Sequence, residues 1–121
     1  MKTRTSQSRA IFPTHLNDNN ALFGGLAMEW MDEVAYITAS RFTRKRMVTV
    51  TVEKLVFLKP VKLGDFVEIT GNVVKSGNVK LKVEVNITRE NFDTGEMQTA
   101  ITGIFVMAGV DEKGNPVRLE N

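Results

Sequence analysis

The most informative part of the sequence is Asn17-Asp-Asn-Asn-Ala-Leu-Phe-Gly24-Gly25-Leu-Ala-Met-Glu-Trp-Met-Asp32-Glu33. A polar, turn-forming run ends at a Gly-Gly pair, and this pair begins the one long helix that the sequence predicts. Bare backbone N–H groups at a helix start can stabilise an oxygen that gains negative charge. Asp32, two turns into the helix, could deprotonate water or attack a carbonyl directly. Together these features indicate a hydrolytic site for a carbonyl compound.

Residues 24–42 carry apolar side chains at the helical period. At 100° per residue, one broad and mainly apolar face collects Ala27, Trp30, Met31, Val34, Ala35, Thr38 and Phe42. The opposite face collects Glu29, Glu33, Tyr36 and Ser40. Such a wide apolar face predicts a helix that other elements wrap. Asp32 falls at the edge of this face, apart from the solvated Glu29 and Glu33.

The remaining segments carry strand and turn patterns. We predict strands over 4–12, 48–58, 66–75, 79–88 and 97–109, a loop over 13–23 and an irregular tail over 111–116. Val48, Val50 and Val52 alternate with polar residues, as does every second residue of 79–88. Gly71 is expected to mark a bend or a bulge. Strand, helix and four further strands predict an α+β fold in which an antiparallel sheet curls around one helix.

The composition is that of an ordinary globular protein, and we expect one domain over residues 1–121. The absence of cysteine excludes disulfides, thiolate nucleophiles and cysteine metal sites. No apolar run approaches the roughly 18 residues of a membrane span, and the first residues lack the apolar centre of a signal peptide. We therefore expect a cytoplasmic protein with no membrane partner. The nearly continuous apolar content of 99–109 predicts a homo-oligomer.

Basic residues form two groups, one at the end of the helix and one in a later hairpin. They are Arg41, Arg44, Lys45 and Arg46, and Lys75, Lys80 and Lys82. They either complement the helix dipole and solvate a strand face or form a site for phosphates. A nucleic-acid partner is not expected, because the strands lack exposed aromatic residues arranged for base stacking.

The region from Asn17 to Asp65 resembles the short bacterial acyl-CoA thioesterases of the hotdog fold, whose five-stranded antiparallel sheet wraps a central helix. The family pattern places an Asn seven residues before the Gly-Gly, an aromatic residue or His directly before it, and Met-Asp seven residues after it. Matching segments here are Asn17, Phe23-Gly24-Gly25, Met31-Asp32, Val48-Thr49-Val50, Phe57-Leu58-Lys59-Pro60-Val61-x-x-Gly64-Asp65 and Lys75-Ser76-Gly77-Asn78. Two positions differ. Asn20 replaces a common Gly, which Asn can substitute in a left-handed conformation, and Asn78 stands where relatives often carry Arg.

The resemblance implies an acyl-CoA thioesterase that forms dimers with two interface sites, commonly assembled into a hexamer. Asn17 and the Gly25 N–H would come from one subunit and Asp32 from the other. Asp32 would be the general base or nucleophile, Asn17 would position the water or thioester, the Gly25 N–H would bind the thioester oxygen, and Thr49 would support the carboxylate. The substrate-binding residues would include Phe23, Gly24, Arg44, Lys59 and Lys80. No cofactor or metal is implied, because coenzyme A is part of the substrate and product.

Alternatives remain for these residues and for the function. Gly24 and Gly25 could serve only to bring the helix close to the sheet, and Asn17 could be only a turn residue. His15, the single histidine, is expected to be incidental rather than catalytic. The alternative function is a non-catalytic module that binds or senses acyl-CoA. A basic, β-rich nucleic-acid binder is a third and weaker possibility.

Overall fold

The computed structural model describes residues 3–119, and its elements follow the predicted order. They are β1 (Arg4–Ala10), a short 3₁₀ turn (Pro13–His15), α1 (Gly24–Thr43), β2 (Met47–Phe57), β3 (Phe66–Ser76), β4 (Lys80–Glu90) and β5 (Met97–Gly109). The predicted bounds of the last strand agree with those of β5, and the predicted helix ends one residue before α1 does. The α+β prediction is therefore confirmed.

The five strands form one antiparallel sheet in the order β1-β3-β4-β5-β2. The central strand β4 keeps the predicted alternation, with Leu81, Val83, Val85 and Ile87 fully buried. These side chains lie on the face that packs against α1. The outermost strands, β1 and β2, each pair with only one neighbour among the described residues. The sheet thus covers one helix and leaves two open edges.

The predicted apolar face of α1 is the face that the sheet buries. Its buried residues are Ala27, Trp30, Met31, Val34, Ala35, Thr38 and Ala39. Phe42, predicted on the same face, is partly buried and packs against this core. The helix ends at Arg44, which adopts a left-handed conformation with φ 57° and donates its N–H to the Ser40 carbonyl at 2.7 Å.

Gly71 does not mark a bulge, so that part of the prediction is wrong. It pairs in regular register with Thr5 on one side and Val85 on the other. A Cβ at this position would lie 2.6 Å from Thr38 Oγ1 and 2.9 Å from Val34 Cγ1. The glycine is needed because side chains of α1 fill the space that a Cβ would occupy, and the irregularity of β3 comes later, between Val73 and Lys75.

The alternation predicted for β2 fails after its third residue because the strand contains a bulge. Thr49 pairs with Met107, whereas Thr51 pairs with Val106, so Val50 is the extra residue. Beyond the bulge, each residue of β2 points to the face of the sheet opposite to the one that uninterrupted alternation predicts. Val48 and Val50 are exposed, while Val52 packs against the core. The same shift allows Thr49 and Val52 both to point toward α1. Among residues 3–119, no helix is long and apolar enough to cross a membrane.

Candidate active site

The start of α1 carries backbone N–H groups that have no intrahelical acceptor. Phe23 is the N-cap residue and makes no side-chain cap hydrogen bond, and the first intrahelical bond runs from the Ala27 N–H to the Phe23 carbonyl at 3.0 Å. The N–H groups of Gly24, Gly25 and Leu26 precede that bond. Gly25 is exposed, so its N–H can donate a hydrogen bond to an incoming oxygen. The helix start thus has the geometry of an oxyanion-binding site.

The two glycines at the helix start do not make a close approach to the sheet. A Cβ at Gly24 would lie 3.7 Å from the Phe57 ring, an ordinary contact distance, whereas a Cβ at Gly25 would lie 3.0 Å from the Phe23 ring. A side chain at position 25 would therefore press on the ring of Phe23, two residues earlier in the sequence. The tight packing that was considered for this pair occurs instead at Gly71.

A cleft of about 370 Å³ opens beside the helix start. Three of the predicted site residues line it, namely Asn17, Gly24 and Lys59. The other lining residues are Ala21, Leu22, Phe57, Leu58, Pro60, Val61 and Ile101. The mainly apolar lining suits an acyl or thioester group, and Lys59 adds one positive charge. Phe23 is also exposed at this end of the helix.

Asn17 organises the loop that leads into the helix. Its Oδ1 accepts the N–H of Asn19 at 2.9 Å and the N–H of Ala21 at 3.2 Å. Across residues 3–119 its Nδ2 makes no hydrogen bond, which leaves an amide donor at the cleft. Asn20 adopts φ 58°, the left-handed conformation expected at this position. The turn role and a substrate-positioning role are thus compatible, because they use opposite ends of the Asn17 amide.

Asp32 and Thr49 form the second group of predicted site residues. Thr49 Oγ1 donates a hydrogen bond of 2.5 Å to Asp32 Oδ1 and also lies 3.4 Å from the sulfur of Met107. A hydrogen bond to a carboxylate is stronger than one between neutral groups. It fixes the orientation of the Asp32 side chain, which is exposed on the free surface of α1.

The two groups do not meet within one chain. Gly25 and Asp32 are seven residues apart on a straight helix, which separates them by about 10.5 Å along its axis. Gly25, Glu29, Asp32 and Tyr36 recur at i, i+4, i+7 and i+11, so they form one ridge, and all four are exposed. Each chain therefore presents both groups of predicted site residues on the same side of its helix.

The structure does not bring Arg44 and Lys80 to the cleft. Arg44 lies at the end of a 20-residue helix, which is about 30 Å long, and Lys80 pairs with Ala108 at the same far end of the sheet. Lys82, from the same basic group, forms a surface ion pair with Glu53 at 3.0 Å. Of the predicted cationic site residues, only Lys59 lies beside the helix start.

His15 has a structural role. Its Nδ1 accepts the N–H of Phe12 at 3.0 Å, and its ring packs edge-on against Trp30 with 5.2 Å between ring centroids. Arg9 lies over another part of the Trp30 ring at 4.6 Å. The two His15 contacts hold the turn before the cleft in place. Among residues 3–119, no group of three or more His, Cys, Asp and Glu could hold a metal ion.

An ion pair behind the cleft escaped the sequence analysis. Arg89 Nε lies 3.0 Å from Asp65 Oδ2, and the side chains are only 16% and 5% exposed. Asp65 enters the sequence analysis only as the end of the segment that matches the family pattern, and no role is predicted for Arg89. One signal was available, because Arg89 occupies the inward-facing position after Val85 and Ile87 in the alternation of β4. A charge at an inward position of a strand indicates a buried partner.

Comparison with known proteins identifies relatives along most of the chain. A family model described as the thioesterase superfamily matches residues 19–95. An uncharacterized acyl-CoA thioester hydrolase of Bacillus subtilis is 32% identical over 116 residues, which are 96% of this chain and 67% of that protein.

Solved structures agree with this match. The acyl-CoA hydrolase of Bacillus cereus superposes with a TM-score of 0.91 at 36% identity, over 95% of this chain and 70% of that one. The Staphylococcus aureus acyl-CoA hydrolase, solved with butyryl coenzyme A and coenzyme A, superposes with a TM-score of 0.88 at 28% identity, over 95% of this chain and 70% of that one. A hexameric thioesterase of Yersinia pestis superposes with a TM-score of 0.88 at 29% identity, over 95% of this chain and 93% of that one.

Three further structures of the Staphylococcus aureus enzyme carry single alanine substitutions at an asparagine, an aspartate and a threonine. The aspartate follows the asparagine by 15 residues, and the threonine follows the aspartate by 17. Asn17, Asp32 and Thr49 have the same two separations.

Proposed function

This chain belongs to the thioesterase superfamily and has the hotdog fold, and we propose that it hydrolyses acyl-CoA thioesters to a free acid and coenzyme A. The observation that carries the proposal is the pair of half-sites on α1. One half-site is an uncapped helix start beside an apolar cleft, and the other is a carboxylate oriented by a threonine hydroxyl.

These groups are sufficient for thioester hydrolysis. A thiol leaves readily as thiolate, so the reaction needs no strong general acid. Asp32 acts as general base for water or as nucleophile, and the Gly25 N–H binds the thioester oxygen as it becomes negative. An oxyanion donor contributes about 3 kcal/mol, and a general base about 10²–10⁴-fold in rate. The two contributions are comparable, so both half-sites are needed for an efficient enzyme.

The complete site requires two copies of the chain. Asp32 lies about 10.5 Å along the helix from the Gly25 of its own chain, whereas two antiparallel copies of α1 would place each Asp32 opposite the partner's helix start. The exposed ridge through Gly25, Asp32 and Tyr36 supports this arrangement, and so does the hexameric state in which some relatives were solved. We propose a dimer with two sites, assembled into a hexamer of three dimers.

Asn17 and Thr49 complete the catalytic group. Asn17 positions the water or the thioester through its Nδ2, since its Oδ1 is held by the loop, and Thr49 supports the Asp32 carboxylate. The matching separations of the substituted residues in the Staphylococcus aureus enzyme support this assignment. Phe23, Gly24 and Lys59 contact the substrate near the thioester.

The remaining cationic residues contact the phosphates of coenzyme A. Arg44 follows Asp32 by 12 residues, or about 18 Å along the same helix, and Lys80 lies at the same end of the sheet. They would therefore act in the site to which their own subunit contributes Asp32, since the partner's helix start faces that carboxylate.

The proposal is tested with a panel of acyl-CoAs and a reagent that detects free thiol. We expect thiol release by the natural protein and its loss in Asp32→Ala. Glu33→Ala is the matched control, because Glu33 is the next residue of α1, is exposed, and makes only a 3.6 Å surface pair with Arg9. Full activity of Asp32→Ala, or no thiol release across the panel, would refute the proposal. Tight calorimetric binding of acyl-CoA without turnover would indicate the binding module instead.

The two-copy site has its own test. Asp32→Ala and Asn17→Ala chains are each expected to be inactive alone, and the two are then co-expressed. Half of the randomly formed dimers are mixed, and each mixed dimer contains one intact site, so about a quarter of the natural activity should return. If co-expression restores no activity, the residues do not come from different chains.

A further inference from the structure

Arg89 on β4 holds both ends of the loop that forms one wall of the cleft. We call residues 58–65 the wall loop, since Leu58, Lys59, Pro60 and Val61 line the cleft. At the far end of this loop, Arg89 Nε lies 3.0 Å from Asp65 Oδ2, and Nη2 donates to Asp65 Oδ1 at 3.3 Å. At the near end, Nη1 donates to the Pro60 carbonyl at 3.1 Å. One guanidinium group therefore spans the wall loop.

The wall loop is bonded on its other side to the segment that leads into α1. The Leu22 N–H donates to the Val61 carbonyl at 2.8 Å, and Ala21 forms an isolated β-bridge with Lys62. Phe23 and the Gly-Gly pair follow directly. Val61 and Pro60 are adjacent residues, so the position of the helix start relative to the cleft wall depends on where Arg89 holds Pro60.

The Asp65 carboxylate is fully engaged in this arrangement. It is 4% exposed, and its Oδ2 also accepts the Lys62 N–H at 2.8 Å. A buried carboxylate requires a partner of opposite charge and several hydrogen bonds to its oxygens. Arginine suits the position because its donors form a rigid planar fork, whereas a lysine ammonium is a point charge at the end of a flexible chain. Lysine can therefore balance the charge of Asp65 without also holding Pro60.

We propose that Arg89 is a positioning residue of the cleft, which acts through Asp65 and Pro60 to set the gap between the wall loop and the start of α1. This proposal rests on the proposed function, because the gap is where the acyl-CoA thioester would bind. Arg89 itself does not line the cleft and is not a catalytic residue. Its contribution is to substrate binding, so its loss raises KM and leaves kcat nearly unchanged.

The test compares kcat and KM of the natural protein, Arg89→Lys and Arg89→Gln with one acyl-CoA substrate. The natural protein is measured first, and absence of turnover there would overturn the proposed function. We expect both variants to raise KM about tenfold, the equivalent of one hydrogen bond to a charged group, with kcat within about threefold. Arg9→Lys is the matched control, since Arg9 also pairs with a carboxylate, at 3.6 Å, but away from this cleft. Its KM should not change.

A purely structural role gives a different result. A variant that is only partly folded has fewer active molecules, which lowers the apparent kcat and leaves KM unchanged. Unchanged KM in both Arg89 variants, beside an active natural protein, would overturn this proposal and leave the proposed function intact. If Arg89→Gln does not fold, Arg89→Lys decides, because it keeps a positive charge beside Asp65. Failure of Arg89→Lys to fold would also overturn the proposal, since the pair would then be a requirement of folding.

Discussion

Replacing Thr49 with valine tests whether the hydroxyl that holds Asp32 contributes to turnover. Valine keeps the branched shape and the preference for strands and removes the 2.5 Å bond to Asp32 Oδ1 together with the weaker 3.4 Å contact with the Met107 sulfur. Hydrogen bonds to charged groups contribute about 1.5–3 kcal/mol. The lower end of that range is the smallest loss expected, because a partner chain that covered the exposed Asp32 would strengthen the bond. We therefore expect kcat to fall at least about tenfold.

The matched variant is Thr49→Ser, which keeps the hydroxyl and loses only a methyl group. Both variants are assayed for thiol release across a range of acyl-CoA concentrations, and their free energies of unfolding are measured in urea. Thr49 is exposed on the edge strand β2, so stability should change by no more than about 0.5 kcal/mol. A Thr49→Val enzyme with the natural kcat, or a Thr49→Ser enzyme that loses as much, would show that the hydroxyl does not support the carboxylate.

Three further tests substitute a glycine or a residue in the left-handed conformation. Gly25→Ala places a Cβ 3.0 Å from the Phe23 ring, so kcat should fall in the thiol-release assay while the melting temperature changes little. Lys54→Gly removes a left-handed residue with φ 53° and should raise the urea-measured free energy of unfolding by about 1 kcal/mol; a lower value would contradict the assigned strain. Gly71→Ala places a Cβ 2.6 Å from Thr38 Oγ1, which must move. The urea-measured free energy of unfolding should fall by about 1–3 kcal/mol.

Local signals were enough to predict the order of the elements and their bounds to within two residues. Each of these signals acts within a few residues. Examples are the helical period of 24–42, the strict alternation around Val83 and Val85, and the turn-forming residues Asp93-Thr94-Gly95. The Asn91 side chain accepts the N–H groups of Asp93 and Thr94, and Gly95 has φ 72°. Such turns form through their own side chains and backbone, so the sequence predicts them without knowledge of the fold.

The wrong or missing predictions concern residues whose conformation or contacts depend on a partner distant in the sequence. The bulge at Val50 is a property of the pairing of β2 with β5, and the strand sequence alone is compatible with uninterrupted alternation. Gly71 can be a bend or a point of close approach, and only the position of Thr38 across the core distinguishes the two. Arg89 and Asp65 are 24 residues apart, and their pairing depends on how β4 folds back beside β3.

In the proposed two-chain site, the exposure of Asp32 links assembly of the protein to its chemistry. In a single chain the carboxylate and the N–H groups at Gly25 both face water, where high dielectric screening makes electrostatic stabilisation weak. A partner chain that covers the ridge of α1 would exclude water from both groups and place them opposite each other, which strengthens the interaction with a developing oxyanion. The broad apolar face of α1 is already buried in its own sheet. The polar ridge that remains is therefore suited to the proposed site between two copies, in which Asp32 would be the acidic residue of the ridge.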